Sequence, residues 1–211
     1  MVLCALADPV PTSRSAANPS PGSVSTMQPI VFEGFAEDCT ITGKVTMFGE
    51  RLTDFLNGQE RFRLHHVVCH SLADGHEASI DSLSVLRSEL LCVVATGPRG
   101  SEKQRVSLST ARLQAHIGPY LILGRLHTAP GSDVMASVLK REPMIPLTHA
   151  TIAYEQAGAI VARDVPTIIL NRMQVDWITP TSDAATIFPD TEIRSPYTAK
   201  LLKDFTGGAS F

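Results

Sequence analysis

The stretch Thr40-Ile-Thr-Gly-Lys-Val-Thr-Met47, followed by Arg51-Leu-Thr-Asp-Phe-Leu-Asn57, decides the fold because its pattern occurs twice in the chain. The first segment alternates apolar and polar residues and is rich in β-branched side chains, which is typical of a half-buried strand. The second segment, the helix motif, is amphipathic and ends at an Asn-Gly pair, which favours the end of a short helix. Leu123-Gly-Arg-Leu126 and Val134-Met-Ala-Ser-Val-Leu-Lys140 repeat both segments, so the chain predicts a duplicated strand–helix unit.

The correspondence continues into the strands that follow each helix. Residues 62–68 align with 145–151, and residues 85–91 align with 169–175. The aligned positions include Gly43 with Gly124, Lys44 with Arg125, Leu52, Phe55 and Leu56 with Met135, Val138 and Leu139, Leu64 with Leu147, and His66 with His149. Two copies of one unit in a chain make a pseudo-twofold arrangement the expected one.

Short strands dominate the region between residues 29 and 179, and each unit has one short helix. The sequence lacks the long crossover helices that a parallel sheet requires. We therefore predict an all-β protein with minor α content, in which two tandem, related, small and partly open β-barrel units pack as a pseudo-dimer. The predicted boundaries are a flexible Pro-, Ser- and Ala-rich tail at 1–28, unit one at 29–99, unit two at 100–179, and a second flexible tail at 180–211.

The second tail contains one predicted helix, near residues 195–206. Ser195 is a suitable N-cap, Pro196 suits the first helical position, and Gly207-Gly208 ends the pattern. The apolar side chains that share one face of this helix are Tyr197, Leu201, Leu202 and Phe205. A helix this short is marginal alone and must pack against something. It packs either on its own chain or, in the functional interpretation, on a partner or a neighbouring subunit.

Composition restricts the function classes. Of the 211 residues, 44% are apolar and 18% are charged, so a packed core is feasible. The net charge of −3 and the lack of a Lys/Arg-rich run argue against phosphate-backbone binding, so we do not expect a nucleic-acid partner. The cysteines form no CxxC and predict buried thiols in a reducing compartment; they are Cys4, Cys39, Cys69 and Cys92.

Targeting signals are equally sparse. The first residues lack the basic region and the apolar length of a secretory signal. No uncharged apolar run approaches the ~18 residues of a membrane helix. The sequence predicts a cytoplasmic protein without membrane insertion.

Four histidines near one cysteine form a candidate metal site, which consists of His65, His66, His70 and His76 with Cys69 among them. On a helix they would include i,i+4 pairs within reach of one ion. The alternation of residues 61–70 predicts a strand instead, along which four residues span about 13 Å, too far for two ligands of one zinc. The second unit keeps only His149, so exposed strand histidines are the simpler interpretation, and a site shared with neighbouring strands is the alternative.

Nothing in the sequence predicts catalysis. A Gly-x-Ser-x-Gly nucleophile elbow is absent, and Cys69 and Cys92 lie in apolar strand patterns where a thiol is normally inert. Residues 97–103 lack the spacing of a phosphate-binding loop and are explained as a turn between the units. We therefore assign no catalytic residue and no cofactor.

The helix motif offers a candidate partner contact. Its apolar face consists of Leu52, Phe55 and Leu56, which predicts a helix that closes one end of a barrel. Arg51 and Asp54 then lie on the exposed side, where they form an i,i+3 pair or contact a partner.

The same motif resembles an uncharacterised bacterial domain that occurs singly or in tandem. That domain reads Arg-Leu-Ser-Asp-Tyr-Leu-Asn after an apolar-x-Gly-Lys strand, and then Phe-Leu-x-Leu-Thr-Asp-Ala. Pro146-Leu-Thr-His-Ala150 is similar to the latter, with His149 in place of Asp. The resemblance covers about residues 30–178. It implies a small β-barrel fold and no activity.

The functional interpretation rests on the duplication and on the lack of a catalytic constellation. We expect a non-catalytic protein-interaction or assembly module of the bacterial cytoplasm, which uses a pseudo-twofold surface and the C-terminal helix to bind a protein partner or a second copy. One alternative is a barrel module that binds RNA or a small ligand between the units. The other is a metal-dependent enzyme that uses the first-unit histidines.

Overall fold

The computed structural model describes residues 28–47, 51–97 and 108–181. These residues form an antiparallel β-structure with minor helical content, as the alternation predicted. The strands of the first half are β1 (Gln28–Phe35), β2 (Cys39–Met47), β3 (Arg61–Ser71), β4 (Glu77–Leu86) and β5 (Cys92–Val94). Those of the second half are β6 (Ser109–Ile117), β7 (Tyr120–Thr128), β8 (Met144–Gln156), β9 (Ala159–Asn171) and β10 (Trp177–Pro180). The helices are α1 (Leu52–Gly58) and α2 (Val134–Lys140), with a 3₁₀ turn at Arg87–Glu89.

The strands form one sheet in the order β10-β6-β7-β8-β9-β5-β1-β2-β3-β4. Each half has the same internal order, in which its fifth strand lies beside its first, and its second, third and fourth strands follow. Main-chain hydrogen bonds match as well, since Leu91 N donates to Phe35 O and Asp176 N donates to His116 O at the equivalent place. The repeat in the sequence is therefore also a repeat of strand order.

The two halves join through β5 and β9, which pair antiparallel with Val93 opposite Ile169. This joint places the fifth strand of the first half against the fourth strand of the second half. A twofold arrangement would pair equivalent strands, so the predicted pseudo-twofold packing is wrong and the halves are joined head to tail. The sheet is not closed, because within the described residues β4 pairs only with β3 and β10 pairs only with β6.

Both halves carry the same β-bulge in the third strand, opposite a glycine of the second strand. The bulged residues are His66, with φ 52°, and His149, with φ 48°, and the ladder register shifts beside each of them. The strands approach closely here, because a Cβ on Gly124 would lie 2.8 Å from the Cβ of Leu147. A bulge bends its strand, so the repeated Gly-Lys/Arg segment and the repeated histidine mark the same bend in each half.

Two apolar cores lie along the sheet, and each contains residues from both halves. Phe35 and Cys92 of the first half belong to the second-half core. Met144 and Ile169 of the second half belong to the first-half core. Neither half completes its own core alone, so the joint is a structural part of both.

The two helices follow the second strand of each half, as predicted. Leu52 and Leu56 of α1 are buried, and so is Val138 of α2. Asp133 caps α2, since its side chain accepts a hydrogen bond of 2.6 Å from Ala136 N. The helix bounds align Leu56 with Val138, one residue from the alignment made on the sequence, and Leu139 is consequently 69% exposed.

Candidate functional site

A groove of about 380 Å³ lies between the two halves. The start of α1 lines one side with Arg51, Thr53 and Asp54, while the residues after β5 and parts of β8 and β9 line the rest, including Pro146 and Pro166. Arg51 and Asp54 are exposed, so the structure places both predicted contact residues in this groove. One cation and one carboxylate beside neutral walls suit a polar protein segment or a small molecule better than a polyanion.

A second pocket, of about 260 Å³, lies in the second half beside the bulge at His149. Arg112 of β6 lies directly opposite Arg125 of β7 in the ladder. Thr151 donates a hydrogen bond of 2.6 Å from its Oγ1 to Asp164 Oδ1 in the same pocket. Two guanidinium groups on facing positions repel each other and favour an anion between them, whereas Asp164 adds a carboxylate that opposes it.

Sequence reasoning missed the Arg112–Arg125 pair. The repeat aligns Arg125 with Lys44, but it does not include β6 and β1, the strands that precede these two residues. In the first half the residue opposite Lys44 is Val31, so the paired arginines are specific to the second half. The sequence feature that indicates this pair is the turn at Gly118, because a hairpin centred there places Arg112 opposite Arg125.

The first-half histidines lie on β3 and on the turn after it, and not on a helix, as the alternation predicted. His65 and His66 are both exposed, because the bulge at His66 interrupts the alternation of faces. His70 Nδ1 lies 3.7 Å from Glu77 Oε2, and His76 is exposed. Among the described residues, no three His, Cys, Asp or Glu side chains are grouped so that they could hold a metal ion. The structure therefore does not bring the four candidate ligands together.

Burial controls the chemistry of the thiols. Burial and the neighbouring Asp38 raise the pKa of Cys39 to about 12. Burial also raises the pKa of Cys69, and it raises the pKa of the fully buried Cys92 well above the ordinary value. The thiolate is the nucleophile and the metal ligand. At neutral pH all three thiols are protonated, which agrees with the expectation that Cys69 and Cys92 are inert.

The joint between the halves has contacts beyond its ladder. Phe35 packs edge-on against Tyr120 and Tyr154, with ring centroids 5.3 and 5.8 Å away. The guanidinium of Arg163 lies 5.5 Å from the centre of the Phe35 ring and forms an ion pair with Glu33. Edge-to-face aromatic pairs and cation–π contacts each add to the stabilisation from buried area. These side-chain contacts join the two halves in addition to the ladder of β5 with β9.

The two outer edges expose apolar side chains. Trp177 of β10 is 44% exposed and stacks on His116, with ring centroids 5.7 Å apart. Ile80 of β4 is 41% exposed. Open strand edges with apolar side chains bind other chains, and proteins that do not use them usually blunt them. These edges are the second candidate contact surface.

The remaining predicted contacts lie outside the described residues. These are the helix near 195–206 and its apolar residues Tyr197, Leu201, Leu202 and Phe205. The N-terminal tail and Cys4 are also outside.

No family model, curated protein or solved structure matches this chain. Among the described residues, neither helix has the length or the apolar character to cross a bilayer.

Proposed function

We propose that the protein is a non-catalytic protein-interaction and assembly module of the bacterial cytoplasm, and that it acts without a cofactor. In this proposal its halves are tandem copies of the small β-barrel domain that the helix motif resembles. The observation that carries the proposal is the open sheet. Within the described residues β4 and β10 each have one strand neighbour. They are a fourth strand and a fifth strand, and the joint between the halves pairs another fourth strand, β9, with another fifth strand, β5.

The length of the β4 edge supports strand binding. An unpaired edge strand presents main-chain N–H and C=O groups that a partner strand satisfies. β4 is 10 residues long, and its residues 77–82 are all exposed. Its charged residues are only Glu77 and Asp81, and it contains no proline. Lysine and proline are common means of blocking an edge, and β4 contains neither.

Two further surfaces are part of the proposal: the groove at Arg51 and Asp54, and the predicted C-terminal helix. Deletion of residues 182–211 is expected to weaken partner binding and to leave the melting temperature nearly unchanged. A pull-down and a thermal melt of the shortened chain measure the two effects. A large loss of melting temperature would show instead that this segment stabilises the fold.

Partner capture by edge variants tests the proposed function. A double variant, Ser82→Pro with Ser84→Pro, removes two N–H groups on the open side of β4, where proline is tolerated. The matched control, Ser82→Ala with Ser84→Ala, removes the same hydroxyls and keeps the N–H groups. We expect proteins that co-purify with the wild type and the control to be lost with the proline variant. Circular dichroism checks that the proline variant is folded, and Ser84→Lys replaces it if it is not. An identical set of proteins with every folded variant contradicts the proposal.

The pocket beside His149, which Arg112 and Arg125 line, favours a second candidate function, the binding of an anionic ligand such as RNA. Its support is Arg125, which is exposed beside His149. Binding of a random RNA pool at about 50 mM salt, weakening steeply as salt rises, is the expected result. Arg125→Gln should abolish it, whereas Arg61→Gln, at an exposed arginine of the first half, should not. No binding at this salt concentration removes the RNA function.

A further inference from the structure

We infer that the partner at the open edges is a second copy of this chain, and that β10 of one copy pairs with β4 of the next in the register of the internal joint. The inference rests on the proposed interaction function and names its partner. Because the joint is head to tail, every copy keeps a fourth strand at one outer edge of its described sheet and a fifth strand at the other. Copies therefore add successively, into a ring if the rotation between them closes and into an open chain if it does not.

The topology provides complementary edges. The internal joint pairs a fifth strand, β5, with a fourth strand, β9. The strands left with an open side among the described residues are the fourth strand of the first half, β4, and the fifth strand of the second half, β10. The molecule thus presents the two members of its own joint at opposite ends of one sheet.

Main-chain hydrogen bonds show that equivalent residues of β4 and β9 point their N–H and C=O groups to the same side of the strand. Arg87 N donates to Glu60 O in the first half, and Arg172 N donates to Pro143 O at the equivalent place in the second half. In an antiparallel pair, the residues whose N–H and C=O groups face the partner strand alternate with those whose groups face away. β4 therefore turns the same main-chain groups outward as β9 turns toward β5.

The register follows from the internal joint. Ile169 lies opposite Val93 there, and the counterparts of these residues are Ser84 in β4 and Ile178 in β10. Copying the joint puts Ile178 of one copy opposite Ser84 of the next, with Trp177 beside Val85 and Thr179 beside Leu83. No member of these three pairs is charged, so no like charges meet across the new ladder.

Exposed apolar side chains at the open edges have buried counterparts at the joint. Trp177 is 44% exposed, whereas its counterpart Cys92 is 0% exposed within the second-half core. Ile80 is 41% exposed, whereas its counterpart Val165, in the same core, is 7% exposed. The counterparts are covered because the other half completes that core. A second copy would cover Trp177 and Ile80 in the same way.

The large and small side chains occupy opposite sides of the two joints. At the internal joint the small Cys92 shares a core with the large Tyr120 and Tyr154. At the open edges the counterparts of these three residues are, in order, Trp177, Cys39 and Ser71. Cys39 and Ser71 face each other in the ladder and are partly exposed. A large side chain on β10 therefore meets small ones beside β4, so Trp177 fills part of the space that the two tyrosines fill at the internal joint.

The joint between copies is weaker than the internal one. Ala95 N donates to Thr167 O at 3.0 Å in the internal joint, but the counterpart of Ala95 is Pro180, which has no N–H. The counterpart of Asn57, which hydrogen-bonds to Met144 of the other half, is Leu139. Leu139 is 69% exposed and can contribute apolar contact only. We therefore expect reversible, concentration-dependent association.

Sedimentation of the full-length protein over a concentration series up to about 1 mM tests the association. The average mass is expected to rise with concentration. Ser84→Lys places a charge in the middle of the new ladder and should return the mass to that of one chain. Ser79→Lys is the matched control, because Ser79 is also exposed on β4 but lies outside the register. A mass of one chain at every concentration overturns the inference.

Cross-linking tests the register itself. Thr179→Cys in one preparation and Leu83→Cys in another place thiols at a non-hydrogen-bonded pair, where the spacing suits a disulfide. Both preparations also carry Cys4→Ser. Oxidation of the mixture should give a cross-linked dimer in high yield, whereas Thr179→Cys with Ser82→Cys, whose side chain points to the other face, should not. Equal yields from the two mixtures overturn the register.

The outcomes separate this inference from the proposed function. If the purified protein has the mass of one chain throughout, but the proline variant of β4 loses its cellular partners, the partner is another protein and the inference fails alone. If neither mass nor partners respond to the edge variants, both fail. If β4 amides become exposed to hydrogen exchange only after deletion of residues 182–211, without a change of mass, the chain covers its own edge and the inference fails.

Discussion

Asn57 of α1 and Met144 of β8 exchange two hydrogen bonds across the joint between the halves. Asn57 Nδ2 donates to Met144 O at 3.1 Å, and Met144 N donates to Asn57 Oδ1 at 2.9 Å. A side-chain amide offers an N–H donor and an oxygen acceptor side by side, so Asn57 pairs with the N–H and C=O of Met144 as a residue of a neighbouring strand would. The last residue of the helix motif thus stabilises the joint.

Asn57→Ala is expected to lower the free energy of unfolding by about 1–3 kcal/mol, because both main-chain groups of the buried Met144 lose their partner. Urea denaturation measures the change. Gln59→Ala is the control, since Gln59 is exposed beside the same helix and its substitution should change stability by less than about 0.5 kcal/mol. Equal effects would show that the amide does not stabilise the joint.

Gly124→Ala is expected to lower the free energy of unfolding by about 1–3 kcal/mol. Its added Cβ would lie 2.8 Å from the Cβ of Leu147 and 3.3 Å from the Cβ of Ala150. Gly58→Ala, at the end of α1, meets nothing within 4 Å and should be neutral or stabilising by up to about 1 kcal/mol. Thermal melts of both variants measure the contrast, and a destabilising Gly58→Ala with a neutral Gly124→Ala would contradict it.

His149→Gly is expected to keep or raise stability, by up to about 1 kcal/mol, because glycine adopts a φ of 48° without steric cost. His149 is exposed, so little packing is lost. His149→Val should lower stability by about 1–2 kcal/mol, since a β-branched residue fits this conformation badly. His65→Gly, at an exposed regular strand position, should lower it by about 0.5–1 kcal/mol. Urea denaturation would contradict the prediction if both glycine variants were equally destabilised.

Thiol reactivity should be low in the folded protein. Burial raises the pKa of Cys39 from 9.0 to about 12, which lowers the thiolate fraction at neutral pH by a factor of about a thousand. Labelling with an aromatic disulfide at neutral pH, in a Cys4→Ser background, should therefore be slow in buffer and fast in urea. Labelling of Cys39 at the same rate under both conditions would show that the thiol is not protected.

Stability should fall as the pH rises above about 9. The unfolded chain releases the thiol protons near pH 9.0 and the Tyr120 proton near pH 10.0, whereas burial raises the pKa of Cys39, Cys92 and Tyr120 in the folded state. Above these values the folded state holds more protons than the unfolded state, so the free energy of unfolding decreases with pH. Urea denaturation between pH 7 and 11 measures the slope. Cys92→Ala should flatten it, and an unchanged slope would contradict the assignment.

The periodicity of the sequence predicted much of the secondary structure. Strand alternation placed β2, β3 and β8, and the helix motif and its repeat placed α1 and α2. β9 runs unbroken over Ala159–Asn171, although Pro166 lies within it. Pro166 lies opposite the bulged His149, between two ladder pairs. A proline is tolerated at such a place because no ladder hydrogen bond needs its N–H.

The alignment of the two halves was correct in the third strand and wrong by one residue in the fourth. Leu83 lies opposite Leu64, and Ile168 lies opposite Leu147, so Val85 corresponds to Leu170 and not to Ile169. A shift of one residue moves every side chain to the other face of a strand. Local similarity of apolar residues does not detect such a shift, since a turn can absorb an extra residue without changing the pattern on either side.

The candidate site was predicted in part. Arg51 and Asp54 do lie together in the groove between the halves, because one short helix carries both. The facing pair Arg112 and Arg125 was not predicted, because it depends on the register of a hairpin. The histidines of β3 share a strand and still do not share a site, because a strand separates its residues along one line.

The sequence by itself determined the class of secondary structure, the duplication and the correspondence of His66 with His149, because each depends on neighbouring residues or on a repeated local pattern. Only the tertiary structure decided that the halves join head to tail and that β4 and β10 are the open edges among the described strands. That decision depends on the pairing of Val93 with Ile169, far apart in the chain. A local period specifies which face of a strand is buried, but it carries no information about which strand lies beside it.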